Sequence, residues 1–275
     1  MKILVVGGYG RMGSWLAKFL SRSGHSVWIT GRRSAPLRKA SLGLPVVAPG
    51  ASCEWIECAV LSVPPRKVEG VALEYAPLLG EDCLLVDVSS VKTPVLGFIR
   101  SSRRPVLSIH PLFGPTTESL EGKSVAVVHP ARLEGRSKEF VDSFKKAGAK
   151  VVFCSPKEHD AAVPYTLALP HLLAALYGSL LAESGIRPGT LERLGGSSFR
   201  AMSSLAKSVG SESPEVYASI QLASPSYDET LGLALGKLRA VRKGLREGDA
   251  GAFLRLMRDS SSLPFARRIQ TAKTF

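Results

Sequence analysis

The chain has 275 residues, 45% of them hydrophobic, and a formal net charge of +13. That length and apolar content suit two ordinary domains with a sizeable core. No segment is read as a membrane span. No aromatic-interleaved basic patch, arginine-rich tail or helix-turn-helix pattern points to nucleic acid, so the positive field is read as steering an anionic cofactor and substrate.

Met1 and Lys2 lead straight into an apolar strand, so no targeting peptide and a cytoplasmic location are expected. Lys2–Val6 is the first strand, followed at once by Gly7-Gly8-Tyr9-Gly10-Arg11-Met12-Gly13 and an amphipathic helix carrying Trp15, Leu16, Phe19 and Leu20. Gly8, Gly10 and Gly13 fit the dinucleotide fingerprint: a tight turn, close approach of a pyrophosphate, and helix–strand packing. Tyr9, Arg11 and Met12 lie between them and share the expected cofactor contact. A helix N-terminus there offers N–H groups and a positive dipole end to phosphate. The second strand, Ser26–Thr30, is followed by Gly31-Arg32-Arg33-Ser34, with no acid to hold a ribose 2′-hydroxyl. Arg32, Arg33 and Ser34 suit a 2′-phosphate instead, so NADP is expected over NAD.

Strand and helix signals then alternate. Ala59–Val63 is a buried strand, with Ser62 and Val63 at its cofactor-facing end, and a helix follows Pro64-Pro65. Cys83–Asp87 is a strand, with a helix beginning near Val91. A further strand ends at His110, before the rigid turn Pro111-Leu112-Phe113-Gly114-Pro115. Ser124–Val128, a helix over Gly135–Ala147 and a strand Lys150–Phe153 complete the set. The alternation predicts an α/β, Rossmann-type, doubly wound parallel sheet over residues 1–155, with room for an antiparallel member near its end. In such a sheet ligands sit at the carboxyl ends of the strands, where the glycine turn, Ser62-Val63-Pro64, Asp87–Lys92 and His110 all fall. His110 titrates near neutrality and is the candidate base.

Residues 156–275 read as helix only. Pro164 and Pro170 should kink or break the stretch Glu158–Glu183. Gly195-Gly196 precedes a helix with Phe199, Met202, Leu205 and Val209 on one face, and Ser213-Pro214 opens another. Leu231, Leu235, Leu238 and Leu245 form a heptad-like stripe suited to a partner helix, so a homodimer through this helical half is expected. Cys53, Cys58, Cys83 and Cys154 have no metal-ligand spacing and are read as free thiols, with no metal site. The absence of Asn, with only Gln221 and Gln270, is a thermophile habit.

Over nearly its whole length the chain resembles the prephenate/arogenate dehydrogenase family of tyrosine biosynthesis. The resemblance is carried by the glycine turn, Leu61–Pro64, Asp87–Lys92, His110–Pro115, Glu158–Asp160, Leu169–His171 and Pro214–Ala218. It implies oxidative decarboxylation. His110 would take the ring-hydroxyl proton while hydride leaves the same carbon for the nicotinamide, carbon dioxide departs and the ring becomes aromatic. Ser90 would bond the substrate hydroxyl and orient His110, His171 would help build the substrate pocket, and Arg200 would bind the ring carboxylate. Other members carry that arginine about one turn later, where this chain has Ser204. Prephenate and arogenate are not distinguished. Two other readings stay open: another two-domain reductase such as a β-hydroxyacid dehydrogenase, whose helical-half lysine has no match here, and a non-catalytic NADP-sensing protein.

Overall fold

Alternation along β1 (Lys2–Val6) sends Ile3 and Val5 to one face of a sheet and Leu4 and Val6 to the other, and all four are buried. A strand apolar on both faces belongs at the centre of a covered parallel sheet. The structure, a computed structural model, describes residues 1–31, 43–128 and 133–262. Among them are β2 (Ser26–Thr30), β3 (Cys58–Leu61), β4 (Leu84–Asp87), β5 (Val106–Pro111), β6 (Ser124–Val128) and β7 (Lys150–Cys154), in the order β2-β1-β3-β4-β5-β6-β7. β1 to β5 are parallel, β6 is antiparallel to β5, and β7 runs parallel to β6.

Helices cover both faces. On one, α1 (Arg11–Arg22) and α4 (Gly135–Lys146) bury Leu16, Leu20, Phe140 and Phe144 against Ile3, Val5, Val60 and Val86. On the other, α2 (Val68–Tyr75) and α3 (Leu96–Ser101) bring Val68, Val71, Tyr75 and Phe98 over Leu4, Val6, Leu61 and Leu85. Each such side chain removed from water contributes about 1.5–3 kcal/mol. The order reverses at β1, whose neighbours are β2 on one side and β3 on the other, and this places a switch-point crevice beside the end of β1.

The helix expected near Val91 begins later, with a 3-10 turn at Thr93–Val95 before α3. Asp87 accepts from the Ser89 amide and Asp160 from the amides of Lys92 and Thr93, which holds Val88–Lys92 out of helix.

The helical part of the first compact unit (Met1–Pro225) comprises α5 (Pro156–Val163), α6 (Leu169–Glu183), α7 (Pro188–Leu194), α8 (Ser197–Gly210) and α9 (Pro214–Ala223). Pro164 and Pro170 do not break the chain's path. A wide π turn, Pro164–Ala168, joins α5 to α6, absorbing prolines that cannot donate to the ladder. The expectation of no membrane-length apolar segment is corrected here. Residues 161–182 contain no Asp, Glu, Lys or Arg, and the helix Pro156–Glu183 holds an 18-residue window of mean hydropathy 1.4, enough by length and composition for a span. It packs along α8, while Leu173, Leu176 and Leu180 stay exposed. The second compact unit starts at Ser226 and pairs α10 (Tyr227–Glu247) with α11 (Gly251–Ser261) through a left-handed turn at Gly248. Of the leucine stripe on α10, Leu235, Leu238 and Leu245 are exposed in the single chain.

Candidate active site

The glycine turn closes on the switch point. Gly7 has φ +82°, and a Cβ there would lie 2.2 Å from the Ser62 carbonyl oxygen, so only glycine fits. A Cβ on Gly13 would meet the Gly7 carbonyl at 2.2 Å, and one on Gly8 would strike Ile29 of β2 at 2.6 Å. The positive-φ turn therefore falls on Gly7, one residue before the fingerprint's first glycine, while Gly8 serves packing. The doubled glycine was the available signal for this. Gly10 caps α1, whose first turn has no acidic residue and whose leading N–H groups point out of the helix end.

The three residues between these glycines have separate surroundings. Tyr9 is buried, its ring over Gly31. Met12 packs on the core. Arg11 donates to the carbonyl of Ser211 and pairs with Glu212 at 3.2 Å, both in the α8–α9 connection. Val63 lies beside Gly7, at 3.3 Å from the position of a Cβ there. Arg32, Arg33 and Ser34 lie outside the described residues.

His110 sits at the carboxyl end of β5, 5% exposed. The turn after it is braced by α1: Trp15 packs edge-on to Phe113 and its indole N–H donates to the Thr117 carbonyl at 2.7 Å. Beneath His110 lies an ion pair that sequence reading did not resolve. Lys92 is fully buried, and its Nζ donates to Asp87 Oδ2 at 2.8 Å and to the Ile109 carbonyl at 2.6 Å. Ser108 Oγ also donates to Asp87, at 2.8 Å. Desolvation lowers the Lys92 pKa, with Asp87 opposing the fall.

Two further residues reach the site from α5. A reciprocal capping box, Ser155 with Glu158, starts that helix and aims His159 and Asp160 back at the strand ends. His110 Nδ1 lies 2.9 Å from His159 Nε2, and His159 Nδ1 lies 2.7 Å from Asp160 Oδ1. Asp160 also accepts from the Lys92 amide at 2.9 Å, and from the Thr93 amide and hydroxyl at 2.6 Å each. Burial pushes the Asp160 carboxyl up, but hydrogen bonds from His159, Thr93 and the Lys92 amide outweigh it and hold it low. Burial, the Lys92 charge and His159 together drive the His110 pKa well below its ordinary value, with Asp160 opposing. His110 is thus an uncharged base at neutral pH. In the sequence His159 and Asp160 stand out only as part of the tripeptide Glu158–Asp160, and no spacing rule links position 110 to 159.

The other expected residues are dispersed. Ser90, half-buried past the end of β4, makes no side-chain hydrogen bond among the described residues, whereas its neighbour Ser89 donates to the Val91 carbonyl. His171, early in α6, lies edge-on to Tyr217 of α9 with ring centroids 4.5 Å apart. Its Nδ1 is buried without a partner among the described residues, and burial lowers its pKa. Burial raises the Tyr217 pKa, Glu212 adds to the rise, and Arg11 opposes it, so this cluster continues back to the glycine turn. Arg200 is exposed on α8, with no side-chain partner among the described residues.

Sheet order, glycine turn and helical second half define a Rossmann-type protein with an appended helical domain. Residues 16–153 match the nucleotide-binding domain of prephenate dehydrogenase and residues 155–259 its dimerization domain. The chain belongs to the prephenate dehydrogenase family. It is 26% identical over 270 residues to a Methanocaldococcus jannaschii protein named "Probable arogenate/prephenate dehydrogenase", covering 95% of this chain and 60% of that one. It is 31% identical over 258 residues to the T-protein of Enterobacter agglomerans, covering 92% and 64%. The chain therefore spans under two thirds of the length of these curated relatives. The fold is shared with a prephenate dehydrogenase from A. aeolicus in complex with hydroxyphenyl propionate and NAD+, at TM-score 0.68, 21% identity and 98% coverage of both chains.

Proposed function

We propose that this chain oxidatively decarboxylates prephenate or arogenate, to 4-hydroxyphenylpyruvate or tyrosine, using NADP. The observation that carries the reading is a buried His110 on the same sheet edge as the glycine turn. Residues 1–155 hold the nucleotide, and residues 156–275 supply substrate contacts and the dimer surface.

The switch-point crevice fits a dinucleotide. Cβ-forbidden positions at Gly7 and Gly13 let the backbone come close, and the free N-terminus of α1 suits a pyrophosphate. Gly8, Gly10, Gly13, Ser62 and Val63 line this approach, with Tyr9, Arg11 and Met12 in the turn, and Arg32, Arg33 and Ser34 take the 2′-phosphate. The bound nicotinamide supplies the hydride acceptor. His110 removes the proton of the ring hydroxyl, and the electron pair of that O–H bond forms the carbonyl as hydride leaves the same carbon. Loss of the ring carboxylate as carbon dioxide then sends its carbon–carbon electron pair through the ring to that carbonyl oxygen, which takes a proton back to give the aromatic phenol. Ser90 holds the hydroxyl, its own hydroxyl having no other partner among the described residues. The unpartnered His171 Nδ1 and the exposed Arg200 guanidinium serve the substrate's polar groups.

The family membership and the aromatic ligand and NAD+ of the A. aeolicus structure support this chemistry. The test is steady-state assay of prephenate and arogenate, each with NADP and with NAD. Reduced NADP and an aromatic product are expected. A folded protein that binds NADP and turns over neither substrate would favour a non-catalytic sensor.

A further inference from the structure

We infer that His159 and Asp160 are positioning residues that fix the tautomer of His110, leaving its Nε2 as the nitrogen that accepts the substrate proton. This inference rests on the reaction proposed above. The assignment propagates from Asp160 outward. An ionised carboxylate only accepts hydrogen bonds, and Asp160 already collects the amides of Lys92 and Thr93 and the Thr93 hydroxyl. The 2.7 Å contact with His159 Nδ1 therefore requires a proton on that nitrogen. In the neutral form of His159 that Nδ1 proton is the ring's single N–H, which leaves Nε2 a lone pair. That lone pair faces His110 Nδ1 at 2.9 Å, so the His110 proton lies on Nδ1. Nε2 is left with the free lone pair.

The chain of bonds also survives the reaction. When His110 Nε2 takes a proton, the Nδ1–H to His159 bond stays in place, and the new charge lies two links from the Asp160 carboxylate. The other charged group facing His110 is Lys92, below it from the β4–α3 connection, with its partner Asp87 on β4. The Cys154 thiol at the end of β7 lies within electrostatic reach of both Lys92 and Asp160. Without His159, nothing in this arrangement holds the proton on Nδ1, and part of the population would carry it on Nε2, where it blocks catalysis.

The test combines ¹⁵N NMR of histidine-labelled protein with kinetics of His159→Leu and His159→Gln. Wild type should show His110 as the Nδ1–H tautomer. His159→Leu should shift that signal toward a tautomer mixture and lower kcat by roughly 10- to 100-fold, a part of the general-base contribution. KM and NADP affinity should stay within about two-fold, since neither depends on the tautomer. Gln retains an acceptor and should restore part of kcat. A wild-type Nε2–H spectrum would overturn the inference, as would wild-type kcat in His159→Leu. Should that variant not fold, the wild-type spectrum decides alone. If wild type turns over no substrate yet shows Nδ1–H, the reaction reading fails while the tautomer assignment stands.

Discussion

His110 and Lys92 show how a side chain's neighbours set its chemistry. Burial and the ammonium beneath it keep His110 neutral, so its base form persists to unusually low pH. The acid limb of the kcat/KM profile should accordingly lie below the ordinary histidine value of about 6.5. The sign for stability is the same. With a depressed folded-state pKa, the unfolded chain binds the proton first, so stability is full above about 6.5 and falls as pH drops toward the folded value. His110→Asn should cut turnover by roughly 10²-fold or more with little change in NADP affinity, and should remove that acid limb. Retained activity would exclude His110 as the base. Lys92→Met leaves Asp87 buried without its cation and should cost about 3–5 kcal/mol in chemical denaturation. In whatever fraction folds, loss of the positive charge should raise the His110 pKa and move the acid limb upward.

Among the elements, α5 brings the second histidine into place. Its capping box satisfies helix-end donors at Ser155 and Glu158 and sets the phase that turns His159 and Asp160 inward. Ser155→Ala should cost about 1 kcal/mol, visible as a Tm decrease of roughly 2–4 °C. If Tm is unchanged, water replaces the cap and the box contributes no stability. The strands were legible because a central parallel strand has to be apolar on both faces, which produces short β-branched runs. The start of α3 was not. Its later start is capped by Asp160, 67 residues away from Thr93, which accepts the Lys92 and Thr93 amides.

For the molecule as a whole, charge and apolar surface bear on cofactor and assembly. Arg32→Gln with Arg33→Gln should weaken NADP much more than NAD, because only NADP carries the 2′-phosphate those guanidiniums would meet. A wild-type preference for NAD in titration calorimetry would overturn the NADP reading. Leu235 and Leu238, exposed on α10, belong to the stripe expected to meet a second copy. Sedimentation should give a homodimer, and Leu235→Glu with Leu238→Glu should shift it toward monomer at micromolar concentration. An unchanged dimer would place the interface elsewhere.

Local rules sufficed for the doubly wound sheet and its glycine turn. Strand burial, helix-end chemistry and the steric freedom of glycine are properties of a few consecutive residues, and they also brought Ser62, Asp87 and His110 to one sheet edge. The shift of the tight turn to Gly7 needed the Ser62 carbonyl, which comes from another strand. The His110–His159–Asp160 chain needed α5 to fold back over β4 and β5, and the buried Lys92 needed Asp87 below it. A hydrogen bond needs its partners within about 3 Å and correctly directed, and chain separation carries no information about either. That is why the base was legible as a residue, whereas its protonation state and the nitrogen that acts were decided by the packed structure.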